Sequence, residues 1–206
     1  MSKKITIIDY GMGNLYSVKN ALRSIGAEPV VTSDASVIAQ AEKILLPGVG
    51  AFGDCMANLE KSGLIPVIMD SLRSGKPFLG ICLGMQLLFE GSDEAPGVKG
   101  LGFFKGQVRL LHTELKIPHM GWNSLDIKPG AHLFKGLADH PYVYFVHSYY
   151  LQADHPEDVA ATTVYSTKIH ASVEHKNVYA CQFHPEKSSA VGLQILKNFI
   201  EPEEAE

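Results

Sequence analysis

The stretch Lys76-Pro77-Phe78-Leu79-Gly80-Ile81-Cys82-Leu83-Gly84-Met85-Gln86-Leu87-Leu88-Phe89 decides how the rest of the chain is read. It predicts a buried strand from Pro77 to Ile81, a turn between two glycines, and a helix opening at Leu83. The turn, Gly80-x-Cys82-x-Gly84, has the form of a nucleophile elbow with sulfur in place of the serine oxygen. A sharp strand-to-helix turn presses backbone against backbone, and glycine removes the Cβ that would stand in the way. Cys82 then falls at a helix N-terminus, where free N–H groups and the helix dipole favour a thiolate. The same stretch also reads as a structural core cysteine, because free cysteine is often buried. A base, an orienting group and an oxyanion site from elsewhere in the chain distinguish the two readings.

Before this stretch the chain alternates strand and helix. Lys4 to Ile8 is a strand ending in the loop Asp9-Tyr10-Gly11-Met12-Gly13-Asn14. Leu15, Val18, Ala21, Leu22 and Ile25 then recur at helical spacing, with Gly26 as the stop. The Gly-x-Gly of that loop is an incomplete dinucleotide fingerprint, since Tyr16 stands where a third glycine belongs. Strands follow at Glu28 to Thr32 and Ile44 to Leu46. The latter runs into Pro47-Gly48-Val49-Gly50, where two glycines around one valine allow close approach to a ligand. Helices are expected over Cys55 to Lys61, with Cys55 carrying no chemistry, and over Leu64 to Arg73. This order argues for a parallel sheet covered on both faces.

After Phe89 the texture changes. A glycine-rich loop, Gly91 to Phe104, precedes short β segments at Gly106 to Leu111, Trp122 to Ile127, Tyr142 to Tyr150, Val159 to Tyr165, Ala171 to His175 and Val178 to Phe183. A last helix covers Ala190 to Ile200. The fold class is therefore α/β: a mixed, mainly parallel central sheet flanked by helices, with a small additional sheet. No linker or repeat interrupts it, so one domain is expected over residues 1–206.

The segment Phe183-His184-Pro185-Glu186 closes the last strand. The residue before proline is held extended, and residues i and i+2 of an extended segment point to one side. Glu186 is thus placed to accept from one nitrogen of His184, leaving the other to take a thiol proton. Both this segment and the elbow end strands, so both reach the carboxyl edge where such sheets bind ligands. The eight other histidines show no metal-ligand spacing. They read as exposed or as satisfied polar residues, with His147 less readily placed because its strand is apolar.

Composition bounds the function. The 206 residues are 46% hydrophobic and 19% charged, with a net charge of −4, which gives no basic footprint for nucleic acid. Three widely spaced cysteines, Cys55, Cys82 and Cys181, argue against a disulfide framework and for a reducing compartment. The apolar run at the start stops at Asp9, too short for a signal peptide, and no stretch is long enough for a membrane helix. A cytoplasmic location is expected. The acidic tail, Glu201 to Glu206, is expected to fray.

The run Gly80-Ile-Cys-Leu-Gly-Met-Gln-Leu-Leu88, with Phe183-His-Pro-Glu186 and Pro47-Gly-Val-Gly50, resembles the class I, triad-type glutamine amidotransferases over nearly the whole chain. Four stretches, Asp9-Tyr-Gly-Met-Gly-Asn-Leu-Tyr-Ser17, Leu46-Pro-Gly-Val-Gly-Ala-Phe-Gly53, Ile117-Pro-His-Met-Gly-Trp-Asn123 and Tyr144-Phe-Val-His-Ser-Tyr-Tyr150, narrow the likeness. They are similar to the glutaminase subunits of imidazole glycerol phosphate synthases, which serve histidine biosynthesis. The resemblance implies a flavodoxin-like sheet and a triad of Cys82, His184 and Glu186. It implies an oxyanion site from the Leu83 N–H and the Val49-Gly50 segment, the latter after a peptide flip, and substrate contacts from Gly50, Gln86, Ser148 and Tyr149. Gln86 lies four residues after Cys82, on the same helix face. No cofactor and no metal are implied.

The resemblance also implies that ammonia passes to a separate (β/α)₈ cyclase subunit in a heterodimer, for which this chain is too short. Asn14 and Trp122 are the expected interface residues. Trp122, the single tryptophan, fits an interface or partial core burial equally well. A triad glutaminase of a different synthase, and a cysteine hydrolase acting without a partner, are the rival readings.

Overall fold

The structure is a computed structural model that describes residues 3–201. Residues 1–2 and all of the acidic tail beyond Glu201 lie outside the described residues. In chain order the elements are β1 (Lys4–Ile8), α1 (Leu15–Ser24), β2 (Glu28–Thr32), α2 (Ala35–Ala39), β3 (Ile44–Gly48), α3 (Phe52–Ser62), α4 (Ile65–Arg73), β4 (Phe78–Cys82) and α5 (Leu83–Leu87). There follow β5 (Gly106–Leu110), β6 (His119–Ser124), β7 (Asp126–Ile127), β8 (Tyr142–His147), β9 (Tyr149–Ala153), β10 (Val159–Tyr165), β11 (Thr167–His175), β12 (Val178–Cys181) and α6 (Ser189–Ile200).

Eight strands make one sheet in the order β2-β1-β3-β4-β12-β11-β10-β7. The first five run parallel, and β11, β10 and β7 extend the sheet antiparallel. The expected mixed sheet is therefore present. The strands at its centre are apolar on both sides because helices cover both faces: every residue of β3, β4 and β12 is buried. One core lies over α2, α3, α4 and α5, with Phe52, Leu59, Ile68 and Phe89. The other lies beneath α1 and α6, with Leu22, Leu79, Phe183 and Phe199.

Several boundaries differ from expectation. The segment Tyr142 to Tyr150 is two strands that part at Ser148: β8 pairs with β6, and β9 pairs with β5, in separate two-stranded sheets. One additional sheet was expected and two are found. Trp122 to Ile127 likewise divides, β6 joining β8 and β7 joining the edge of the large sheet. The five-residue helix α2, capped by Asp34 accepting from the Ser36 N–H at 2.7 Å, was not foreseen as an element.

The elbow is where β3, β4 and α5 come closest. A Cβ on Gly84 would lie 2.0 Å from the Leu46 carbonyl oxygen, and one on Gly48 2.6 Å from the Gly84 nitrogen. A Cβ on Gly80 would lie 2.9 Å from the Gly84 oxygen. These contacts are backbone on backbone, so no side-chain adjustment relieves them. The two glycines flanking Cys82 therefore serve packing, and they set the turn that exposes the sulfur to the sheet's carboxyl edge.

Candidate active site

Cys82 ends β4 with φ 55° and ψ −113°. A non-glycine residue in this region is strained, and such strain persists only where the surrounding fold fixes it. Here the Gly84–Leu46 contact fixes it from one side and the β4 ladder from the other. Cys82 is 9% exposed and caps the start of α5, so the backbone N–H of Leu83 is among the first free donors of that helix.

His184 and Glu186 arrive on the neighbouring strand. β12 pairs parallel with β4, Cys181 opposite Ile81, so the chain leaving β12 passes beside Cys82. The His-Pro-Glu segment then makes a 3₁₀ turn, Pro185–Lys187. The His184 Nδ1–H donates to Glu186 Oε1 at 2.9 Å, and the two side chains are only 4% and 1% exposed. Ser188 locks the turn to β8: its hydroxyl donates to the His184 carbonyl at 2.6 Å and accepts from the Tyr144 N–H at 2.9 Å. The His184 N–H in turn donates to the Tyr144 carbonyl at 2.9 Å.

Electrostatics follow from this placement. Burial disfavours a charged His184, but its interactions with Cys82 and Glu186 outweigh it and raise its pKa to about 9. In the resting arrangement the His184 Nε2 and the Glu186 Oε2 have no protein hydrogen-bond partner. Buried polar atoms are rarely left unpaired, and those that are tend to lie where chemistry occurs.

The Pro47 to Gly50 segment is held from behind. The Tyr10 hydroxyl donates to the Pro47 carbonyl at 3.0 Å, and the Cys55 thiol donates to the Val49 carbonyl at 3.4 Å. Burial pushes both the Tyr10 and the Cys55 ionisations up, keeping both groups protonated and able to donate. Cys55, expected to carry no chemistry, thus helps to hold the Pro47 to Gly50 segment in place. Gly50 has φ +97°, a conformation open to glycine, and Val49 is 39% exposed. Glu94, which the sequence did not single out, accepts from the Phe52 N–H at 2.7 Å and caps α3 just beyond this segment.

Gln86 is no surface amide: it is buried, and its Nε2 donates to the Gln182 Oε1 at 2.9 Å and to the Tyr149 carbonyl at 3.3 Å. Gln182 in turn places its Nε2 3.8 Å from the Cys82 sulfur. Gln182 was missed, although it lies two residues before His184 and so faces the same way in extended chain. Tyr149 meets this group through its carbonyl. Ser148, at the break between β8 and β9, accepts through its carbonyl from the Leu111 N–H.

The two expected interface residues stand apart from these contacts. Asn14 caps α1 by accepting from the Ser17 N–H at 3.3 Å. Trp122 is half-exposed on β6, with one edge against Tyr144. Partial core burial, the other reading of Trp122, does not describe a side chain this open. A cleft of about 370 Å³ at the antiparallel edge, lined among others by Asp126, Lys128, Lys168 and His170, includes none of the residues above. No helix among the described residues is long and apolar enough to cross a membrane.

Comparison with known proteins gives the family. Residues 6–202 match the family model for glutamine amidotransferase class-I. The chain is 52% identical over 205 residues to the imidazole glycerol phosphate synthase subunit HisH of Geobacter sulfurreducens, covering 96% of this chain and 98% of that one. It is 49% identical over 197 residues to the subunit of the same name from Methanothermobacter thermautotrophicus, covering 96% and 98%. Among solved structures, PurLQS from Thermotoga maritima superposes with a TM-score of 0.76 at 20% identity, over 97% of this chain and 98% of that one. A glutamine amidotransferase crystal structure gives 0.74 at 17% identity, over 94% and 98%. At these identities the two structures establish the fold alone. The chain belongs to the class I glutamine amidotransferases, among the glutaminase subunits of imidazole glycerol phosphate synthase.

Proposed function

We propose that the chain hydrolyses glutamine to glutamate and ammonia on a Cys82–His184–Glu186 triad and supplies the ammonia to a separate (β/α)₈ cyclase subunit. That subunit forms imidazole glycerol phosphate and an aminoimidazole carboxamide ribotide in histidine biosynthesis. The observation that carries the reading is the strained elbow cysteine beside a buried imidazole that is bonded to a carboxylate at 2.9 Å. A structural core cysteine would need neither the strain nor the pair.

In the reaction the Cys82 sulfur, its proton on His184, attacks the side-chain amide carbon of glutamine. The oxyanion that forms takes hydrogen bonds from the Leu83 N–H and from the Val49-Gly50 segment. The tetrahedral adduct collapses, the C–N bond breaks, and His184 gives its proton to the leaving ammonia. Water then loses a proton to His184 and attacks the thioester. The C–S bond breaks, and glutamate leaves. Glu186 holds the imidazole in the tautomer and orientation these transfers require. Gly50, Gln86, Ser148 and Tyr149 hold the substrate. Asn14 and Trp122 lie toward the cyclase, where a half-exposed tryptophan is a fitting anchor. The three unpaired cysteines suit the reducing cytoplasm.

The test is a glutaminase assay of the pure chain, then with the cyclase, then with the cyclase and its nucleotide. Little activity is expected alone and strong stimulation in the full mixture. Equal rates in all three would overturn the dependence on a partner.

A further inference from the structure

Behind Gln86 a buried chain of hydrogen bonds runs to β6. His147 Nδ1 lies 2.8 Å from the Tyr149 carbonyl, and His147 Nε2 lies 3.0 Å from His119 Nδ1. His119 Nε2 lies 3.4 Å from the Asn123 Nδ2. His119 is sandwiched between Phe145 and Tyr165, with ring centroids at 4.8 and 4.0 Å. The proposed mechanism uses neither histidine.

A single backbone carbonyl dictates the direction of every bond in this chain. The Tyr149 oxygen only accepts, so His147 carries its proton on Nδ1. Burial lowers the pKa of both histidines to about 4, so both are neutral. His147 Nε2 is then an acceptor, and His119 must donate to it from Nδ1. His119 Nε2 is left to accept from the Asn123 amide. On the other side, Gln86 meets the same carbonyl and must present its Nε2 to it. That nitrogen's second proton goes to Gln182 Oε1. Gln182 therefore turns its own Nε2 to the Cys82 sulfur. Gln86 keeps its Oε1 uncommitted by these bonds, so it offers an acceptor to an N–H of the substrate.

We propose that His119 and His147 are positioning residues: a tautomer-locked pair that aims the Tyr149 carbonyl and, through it, the Gln86–Gln182 amide pair beside Cys82. The proposal rests on the reading of this site as a glutaminase. The pair acts on substrate placement and not on proton transfer.

Two measurements test it. First, two-bond ¹H–¹⁵N correlation spectra of the histidine-labelled complex at pH 7 are expected to show both rings neutral with the proton on Nδ1. Assignment comes from the signals lost in His119→Phe and His147→Phe. An Nε2–H or charged form of either ring overturns the proposal; if a variant fails to fold, nuclear Overhauser contacts assign the wild-type signals instead, His119 to Phe145 and Tyr165 and His147 to Phe145. Second, His119→Phe keeps a ring between Phe145 and Tyr165 but removes the donor to His147. In the full complex the KM for glutamine is expected to rise about tenfold, short of the ~100-fold of a full ångström's misplacement. Its kcat is expected to change far less, and ammonium-supported synthesis to stay at the wild-type rate. An unchanged KM overturns the proposal. A wild-type complex with no glutaminase activity contradicts the reading of the site instead, and leaves the tautomers to be judged by the spectra.

Discussion

Replacing Cys82 with alanine is expected to lower glutamine-dependent turnover of the complex roughly 10³-fold or more, while synthesis from added ammonium continues at the wild-type rate. Loss of the attacking atom removes the covalent route entirely, and what remains is the contribution of the oxyanion donors and substrate binding. The fold should survive the change. Alanine is smaller than cysteine, and the backbone strain at φ 55° is set by the Gly84–Leu46 contact and not by the sulfur. Parallel assays with glutamine and with ammonium check this. Loss of both activities would mean that Cys82 supports assembly.

Glu186→Gln is expected to cost roughly 10²- to 10⁴-fold in kcat, the upper figure being that of an orienting carboxylate replaced by its amide in a serine triad. The amide can turn its nitrogen toward Nδ1, which forces the His184 proton onto Nε2 and leaves the ring unable to take one from the thiol. The change also moves the pH profile. His184 titrates near pH 9 because Cys82 and Glu186 favour its cation against the opposing effect of burial. Wild-type activity should fall as the pH rises through about 9, when the imidazole no longer holds the proton that ammonia must receive. Without the carboxylate charge this alkaline limb should shift to lower pH. Stability follows the same sign. A pKa raised above its ordinary value of 6.5 contributes stability that is full below about pH 6.5 and lost as the pH rises through about 9. Glu186→Gln should reduce that contribution. A kcat profile with an unshifted alkaline limb would show that Glu186 does not act through His184.

The elbow was legible because it rests on a local rule, glycine where a Cβ would strike backbone; in His-Pro-Glu proline does hold His184 extended, but Glu186 reaches it through a 3₁₀ turn and not by strand alternation. The parallel half was legible for the same reason, since its apolar runs and helical periods lie within single segments. The two strands inside Tyr142 to Tyr150 were not. Val143, Phe145 and His147 face inward in β8, and Leu151 and Ala153 in β9. The inward positions keep one parity across Ser148, so nothing in the pattern marks the change of sheet. α2 buries a single residue, Ile38, too little for a helical period to show. The importance of Gln182 and His119 depends on partners about a hundred and about thirty residues away, and pairing at that separation is visible only once the strands are in register. Asn14 entered the sequence reading as an expected interface residue, and its role as the cap of α1 shows only in the structure.

The central claim is that the Cys82 sulfur carries the γ-glutamyl group during turnover. Acid quenching of the complex at work on isotopically labelled glutamine, followed by digestion and mass spectrometry, tests it most directly. The label is predicted on the peptide containing Cys82, and is predicted to vanish in Cys82→Ala. A labelled Cys55 or Cys181, or full glutamine turnover with no labelled cysteine, would contradict it.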